Sequence, residues 1–275
     1  ITGMYPPSMG TQNMRSTYRT PESIKFFPEY LRKAGYYTSN NSKEDYNMIK
    51  PAGVWDESSK EAHYKNRKEG QPFFAIFNLT VSHESSIHKS IPNDKLRHDP
   101  AKVTLPPYHP DTPEMRHDWA QYYDKIEDLD GQVSEILIEL EEAGLAENTI
   151  VGYYGDHGGV IARSKRFVYE SGTHVPMIWR FPKKYEHLAP AKPNSKIDRL
   201  VSFVDLAPSV LSLAGVEIPT YMQGKAFLGN QDTTPREYVH LFRGRMDERI
   251  DMVRAVRDKK FRYIRRTIKY LYIDI

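Results

Sequence analysis

The segment Thr149-Ile-Val-Gly-Tyr-Tyr-Gly-Asp-His-Gly-Gly159 joins an apolar run to a polar, glycine-rich turn. Its first six residues are mostly β-branched or aromatic and predict a buried strand. Asp156 and His157 follow this strand, and the glycines around them allow a tight turn close to a ligand. In open α/β sheets ligands bind beyond the carboxyl ends of strands, and a carboxylate beside an imidazole suits a divalent cation. On spacing alone, a metal site and a polar strand-end turn are about equally good explanations of this pattern.

The segments on either side predict an α/β fold. Apolar residues with a 3.6-residue period indicate a long helix over Pro113–Ala143, ended by Gly144, and shorter helices are predicted over Pro21–Lys33 and Val201–Leu213. The continuous apolar run Pro72–Val81 predicts a strand buried on both faces. Further strands are predicted at 36–39, 175–180, 238–242, 252–257 and 261–264, and alternation of strands with helices favours a largely parallel sheet.

Composition excludes several classes of protein. The 275 residues carry 39 basic and 36 acidic side chains, a near-balance that argues against a nucleic-acid binder. No apolar run approaches the roughly 18 residues of a membrane span, and cysteine is absent, which excludes disulfides and Cys-based metal sites. No repeat or shift in composition marks a boundary, so we expect one domain over residues 1–275.

A second motif follows the Asp-His pair. Ser164-Lys-Arg-Phe-Val-Tyr-Glu-Ser-Gly-Thr-His-Val-Pro176 places a lysine, then a Tyr-Glu pair, a glycine and a proline downstream of Asp156-His157-Gly158. This order resembles the sulfatase family, in which an Asp followed by His or Asn and Gly precedes a Lys and a Tyr-Glu-Gly-Gly-x-x-x-Pro-like segment. Ser171 is the small departure, because it replaces the first glycine of that pair.

The resemblance extends over roughly residues 1–264. Leu31–Thr38 is similar to the family's helix-to-strand step, Pro72–His83 to its strand ending in a sulfate-contacting His, and Val204–Gly215 to the helix after the core. It implies an alkaline-phosphatase-like α/β sandwich, in which helices flank a largely parallel central sheet. The same resemblance leads us to expect that N-terminal strands are missing and that about 236–275 begin the smaller C-terminal part.

The resemblance also implies the roles of individual residues. Asp156 and His157 would be ligands of Ca²⁺, or of another divalent cation such as Mg²⁺. Lys165 would bridge the nucleophile and a sulfate oxygen, and His83 would contact the sulfate or protonate the leaving group. Lys43 matches the Lys of a Gly-Lys-x-His segment whose His is replaced here by Asp45, which puts an acid role there in doubt. Without the family, His83 reads as a strand-end histidine, and Lys165 and Lys43 read as surface lysines.

Sulfatases use a formylglycine made from the Cys or Ser of a Cys/Ser-x-Pro-x-Arg motif. Thr2-Gly-Met-Tyr-Pro6 matches the segment that follows this motif in the family, so we expect the formylglycine upstream of Ile1. Two further Asp ligands are expected upstream as well. A hard cation prefers six or more oxygen ligands, and we therefore expect the chain alone to hold it poorly and to be inactive.

The sequence therefore predicts a sulfuric ester or N-sulfate hydrolase acting on a sulfated small molecule or glycan. Asn40–Asn47 and Arg245–Arg249 are most similar to a heparan N-sulfatase-like branch. The resemblance implies a periplasmic, secreted or lysosome-like location and leaves the oligomeric state open. Two alternatives stay open: a phosphodiesterase or phosphonate hydrolase of the same superfamily, and a non-catalytic anion-binding remnant.

Overall fold

A computed structural model of the protein describes residues 1–246 and 250–267. The described chain divides into two compact units, unit 1 with Ile1–Asn78 and the chain from Tyr185 onward, and unit 2 with Leu79–Lys184. The helices are α1 (Pro6–Met9), α2 (Phe27–Lys33), α3 (Pro113–Glu142), α4 (Glu170–Thr173) and α5 (Leu206–Leu213). The strands are β1 (Tyr37–Asn41), β2 (Glu57–Ser58), β3 (Phe73–Phe77), β4 (Val151–Tyr154), β5 (Met177–Arg180), β6 (Val239–Arg243), β7 (Val253–Arg257) and β8 (Arg262–Arg266).

Unit 1 is built on a parallel sheet and two helices. β1 is central and pairs in parallel with β2 on one side and β3 on the other. Phe27 and Leu31 of α2, Ala207 and Leu211 of α5, and Met222 from the segment after α5 form one core cluster. Parallel strands combined with helices confirm the predicted α/β class.

The helix predicted over Pro21–Lys33 is shorter in the structure. Residues 22–23 form a turn closed by the bond from the Ile24 N–H to the Pro21 carbonyl (3.0 Å), and α2 begins only at Phe27. Its real start is fixed by Glu29, whose carboxylate accepts from the backbone N–H of Phe26 at 2.9 Å. The helix therefore does not begin at Pro21, because a local side-chain bond defines its first turn further along the chain.

Two strands predicted to be buried are only half-buried. β3 lies at the edge of the described three-stranded sheet, and all five of its residues are partly accessible. Within residues 1–246 and 250–267, β4 pairs only with β5, in antiparallel register, and its residues alternate between half-buried and exposed. An apolar run without alternation does not reveal how many faces of its strand are covered.

The C-terminal part of unit 1 contains the predicted strands. β6, β7 and β8 form an antiparallel sheet in which β7 is central. Predicted and observed bounds agree to within about two residues. The segment Arg245–Arg249, one of the two segments that suggested a branch of the family, lies partly outside the described residues, as does the tail from residue 268 onward.

Unit 2 is organised by the long helix α3. Thr112 caps it by accepting a hydrogen bond from the Met115 N–H (3.3 Å), Pro113 occupies the first turn, and Gly144 follows it with a positive φ of 68°. This element agrees closely with the predicted helix. Among the described residues, no helix is both long and apolar enough to span a membrane.

Candidate functional site

The loop that carries Asp156 and His157 is locked against the segment that carries Lys165. The N–H of Gly158 donates to the carbonyl of Gly172 (3.0 Å), and the N–H of Lys165 donates to the carbonyl of Gly159 (3.0 Å). A Cβ at Gly158 would lie 1.7 Å from the Ser171 carbonyl oxygen, and one at Gly172 would lie 2.3 Å from two carbonyl oxygens. Glycine is required at both positions because the two backbones touch there.

Asp156 and His157, the predicted metal ligands, lie side by side with a carboxylate oxygen and a ring nitrogen close together. Nδ1 of His157 donates to the Gly158 carbonyl at 2.6 Å, so the neutral ring keeps a lone pair on Nε2. That Nε2 lies 3.8 Å from Oδ1 of Asp156, and the Asp156 side chain is largely exposed. Two ligand atoms of one divalent cation, each at roughly 2.0–2.6 Å from it, have a separation of this order. The pair fits the predicted metal site.

His83 and Lys165, which are 82 positions apart in the sequence, converge in unit 2. Nζ of Lys165 lies 3.2 Å from Nε2 of His83. A lysine ammonium can only donate, so this contact is a hydrogen bond to Nε2 when the imidazole proton lies on Nδ1, which is 3.1 Å from Ser85 Oγ. The backbone N–H of Ser85, which donates to Nδ1 at 3.3 Å, favours the other tautomer, with the proton on Nε2. In that second tautomer two donors face each other, and an acceptor oxygen that bridges them would be bound by both. The arrangement fits the predicted contact with sulfate, which stays a prediction.

Glu84 is a component of this site that the sequence did not reveal. Its carboxylate accepts from Lys165 Nζ (3.0 Å) and, through both oxygens, from the Arg166 guanidinium (3.1 and 3.2 Å). Partial burial raises the pKa of the Glu84 carboxyl, but the hydrogen bond and charge of Lys165, with Arg166 and His88, outweigh it and lower the pKa below its usual value. Glu84 thus fixes the direction of the Lys165 side chain. The only sequence signal was its position directly after His83.

Lys43 belongs to unit 1, whereas the other candidates belong to unit 2. Its Nζ lies 3.6 Å from the carboxylate of Asp45, the residue that replaces the family's His. The buried side chain of Asn40 fixes the loop that carries Lys43, because its Nδ2 donates to the Lys43 carbonyl (3.1 Å) and to the Ser58 hydroxyl (2.9 Å). The role of Lys43 in binding substrate stays a prediction.

One other group in the described chain has metal-ligand character. His98, Asp124 and Glu127 bring one ligand atom each within 4.8 Å of one another. Nε of Arg97 lies 2.9 Å from Glu127, and Nδ1 of His98 lies 2.8 Å from Asp124. A guanidinium already supplies the positive charge that a cation would bring, so we assign this cluster as an ion-pair network.

Comparisons with known proteins identify one family. The Sulfatase family model matches residues 1–216. An ulvan-active sulfatase of Formosa agariphila is 39% identical over 310 aligned positions, which cover 96% of this chain and 51% of the relative. The chain thus spans about half the length of the curated relatives it matches, 51% and 42% for two of them.

Two solved structures share the fold. A 2-O GAG sulfatase superposes with a TM-score of 0.70 at 18% identity, covering 96% of this chain and 70% of that one. A protein solved with its substrate D-glucosamine-2-N,6-O-disulfate gives a TM-score of 0.63 at 19% identity, covering 100% and 78%. These neighbours have the alkaline-phosphatase-like α/β fold, which confirms the predicted fold class. With a family model matched over most of its length, the chain belongs to the sulfatase family.

Proposed function

We propose that this protein acts as a hydrolase of sulfate esters or N-sulfates on a glycan. The observation that carries the proposal is the convergence of His83 Nε2 and Lys165 Nζ, 3.2 Å apart. In the tautomer with the imidazole proton on Nε2, both groups are donors. An oxygen of a sulfuryl group placed between them would accept from both. Negative charge develops on such oxygens as the ester bond breaks, and fixed donors stabilise it without reorganising.

The residues divide the work as follows. Lys165, held by Glu84, neutralises charge on the sulfuryl oxygens. His83 binds the same group and passes its Nε2 proton to the leaving oxygen, because an imidazole can act as a general acid near neutral pH. Asp156 and His157 would hold the divalent cation, Ca²⁺ or Mg²⁺, which polarises a sulfuryl oxygen when bound. The attacking oxygen would come from a formylglycine encoded upstream of Ile1.

The relatives support the substrate class. The ulvan-active sulfatase, which covers 96% of this chain, is named for a sulfated polysaccharide, and one structural neighbour was solved with a disulfated glucosamine. We therefore propose a sulfated glycan as the substrate.

Binding of sulfate to the 275-residue chain tests the site. In isothermal titration calorimetry at constant ionic strength with Ca²⁺ present, the unsubstituted chain should bind both inorganic sulfate and a sulfated tetrasaccharide prepared from ulvan. Lys165→Ala and His83→Ala should each weaken both affinities by about ten- to a hundredfold, the value of one or two charge-assisted hydrogen bonds. Lys102→Ala is the matched control, because Lys102 is an exposed lysine of unit 2 with 84% of its side chain accessible. Equal losses in Lys102→Ala and Lys165→Ala would contradict the assignment.

Hydrolysis is tested separately in the reading frame extended upstream of Ile1. We expect a Cys or Ser in a Cys/Ser-x-Pro-x-Arg motif and turnover of 4-nitrocatechol sulfate. Turnover of 4-nitrophenyl phosphate in place of the sulfate ester would favour the phosphoryl-transfer alternative. An extended frame that lacks the motif and binds sulfate without turnover would favour the anion-binding remnant.

A further inference from the structure

Four planar side chains of unit 2 stack in a row next to the Lys165 segment. Cζ of Arg163 lies 4.9 Å from the ring centroid of Tyr108 and 4.6 Å from that of Tyr169. The Tyr169 ring in turn stacks on Phe167, with centroids 5.7 Å apart and planes 15° from parallel. We call Tyr108, Arg163, Tyr169 and Phe167 the aromatic ladder.

The ladder is exposed. Its three rings are 38–41% accessible, so they are not part of an apolar core. Single exposed aromatic residues are ordinary, whereas contiguous exposed apolar groups are a feature of interaction surfaces. Among the described residues no carboxylate pairs with Arg163, and its guanidinium is therefore available to an external anion at its edge while the rings cover its faces.

The ladder is also fixed in place before any ligand arrives. His109, which contacts Tyr108 edge-on at 4.7 Å, donates through Nε2 to the Ala162 carbonyl (2.8 Å) and accepts from Trp119 Nε1 (3.0 Å). The backbone of Arg163 has a positive φ of 70°, a conformation unfavourable for a side chain of this size, and Ser171 Oγ donates to its carbonyl (2.8 Å). Local strain held by surrounding bonds is typical of binding sites, and a preorganised surface loses little entropy on binding.

We propose that the aromatic ladder is a second saccharide subsite, in which an end ring of the row, Tyr108 or Phe167, packs its outer face against the apolar face of a pyranose and Arg163 pairs with a sulfate or carboxylate of that sugar. Aromatic rings match the C–H face of a sugar ring, and a guanidinium recognises planar or tetrahedral oxyanions. Arg163 and Lys165 are two positions apart, so their Cα atoms are at most about 7 Å apart. The subsite would therefore hold the sugar unit adjacent to the one whose sulfate lies at His83 and Lys165. This inference rests on the proposed function and adds a chain-length preference to it.

The test compares two probes on the same variants. The affinities of the ulvan tetrasaccharide and of inorganic sulfate are measured for Tyr108→Ala, Tyr169→Ala and Arg163→Gln. We expect each to weaken tetrasaccharide binding by about three- to tenfold while changing sulfate binding less than about twofold. Tyr169→Phe, which keeps the ring, should bind the tetrasaccharide like the unsubstituted chain. Phe261→Ala removes an exposed ring of unit 1 that is 66% accessible and serves as the control.

The outcomes separate the two proposals. If the unsubstituted chain binds neither probe, the proposed function fails. If it binds both, and the ladder variants retain full tetrasaccharide affinity, only the second subsite is overturned. Parallel losses for both probes would also overturn it, because the substitutions would then act by disturbing the Lys165 segment. Thermal unfolding of each variant identifies any that fail to fold. If Tyr169→Ala or Arg163→Gln is among them, Tyr169→Phe keeps the ring and Arg163→Lys keeps the charge, and these replacements should bind the tetrasaccharide.

Discussion

The carboxylate of Glu84 joins two cations that are neighbours in the sequence, Lys165 and Arg166, to the turn that carries His83. Each contact joins residues that lie 81 or 82 positions apart and that no local pattern relates. A resemblance could assign His83 and Lys165 to one site, but the carboxylate that aims the lysine is visible only once the chain is folded. The same holds for the stacking of Tyr108 on Arg163, because periodicity carries no information about contacts between loops.

Glu84→Gln should make stability less dependent on acid pH. The folded-state pKa of Glu84 lies below its ordinary value of 4.5, so its ion pairs contribute fully above that value and are lost as pH falls through the lower, folded-state pKa. Substitution by Gln should therefore lower the free energy of unfolding near neutral pH, and the difference from the unsubstituted chain should shrink below about pH 4.5. Urea unfolding, repeated at intervals of about one pH unit between roughly pH 3 and pH 8, measures this difference in unfolding free energy. A difference that is constant across this range, or equal to that of Glu217→Gln at an exposed position, would contradict the prediction.

The irregular segment 82–112 is fixed to the helix α3 by hydrogen bonds. This segment has no strand and only short 3₁₀ turns, so side chains of α3 satisfy its backbone. The buried Gln121 donates to the carbonyls of Ser86 (2.9 Å) and Lys89 (2.8 Å) and accepts from the Ile91 N–H (2.9 Å). The turn that carries His83 is thereby fixed to the helix.

The same helix shows which elements a sequence can predict. α3 was predicted to within a residue because the signals used, a long apolar period and a terminal glycine, are local. β3 and β4 were located, but their burial was wrong, because coverage depends on which elements pack against each face. α2 was predicted six residues too long at its start, since the side chain of Glu29 determines its first turn.

Gln121→Leu should destabilise the protein through unsatisfied backbone groups. Leucine fills a similar volume but leaves two carbonyls and one N–H of the segment without their partner. Each unsatisfied backbone group costs about 1–3 kcal/mol when buried, and partial access to water reduces the total cost. We therefore expect the free energy of unfolding to fall by about 2–4 kcal/mol. Urea unfolding gives the magnitude, and faster amide exchange at Ile91 would locate it. Gln132→Leu on the same helix is the control, with an expected change below about 0.5 kcal/mol. Equal losses in the two variants would contradict this account.

Unit 1 is assembled from chain segments that lie far apart in the sequence. The N–H groups of Gln223 and Gly224 both donate to the Gly3 carbonyl at 2.9 Å, which fastens the first residues to the segment after α5. Asp205, at the start of α5, is 2% exposed and accepts from Arg236 Nη2 (2.5 Å) and from the N–H of Lys225 (2.7 Å). One buried ion pair therefore joins the helix to the segment that leads into the C-terminal sheet.

Removing the cation of this pair should be much more costly than removing an exposed one. Arg236→Ala leaves the Asp205 carboxylate buried and uncompensated, which costs about 3–5 kcal/mol in comparable cases. Adding Asp205→Asn should recover at least about 1 kcal/mol, because the amide carries no charge that needs a partner. The exposed pair of Lys259 and Asp198, at 2.7 Å, is the control, and Lys259→Ala should produce no measurable change. Urea unfolding followed by circular dichroism provides all four values. If Arg236→Ala lost less than about 1 kcal/mol, or the double variant were less stable than the single one, the buried charge would not be what holds these segments together.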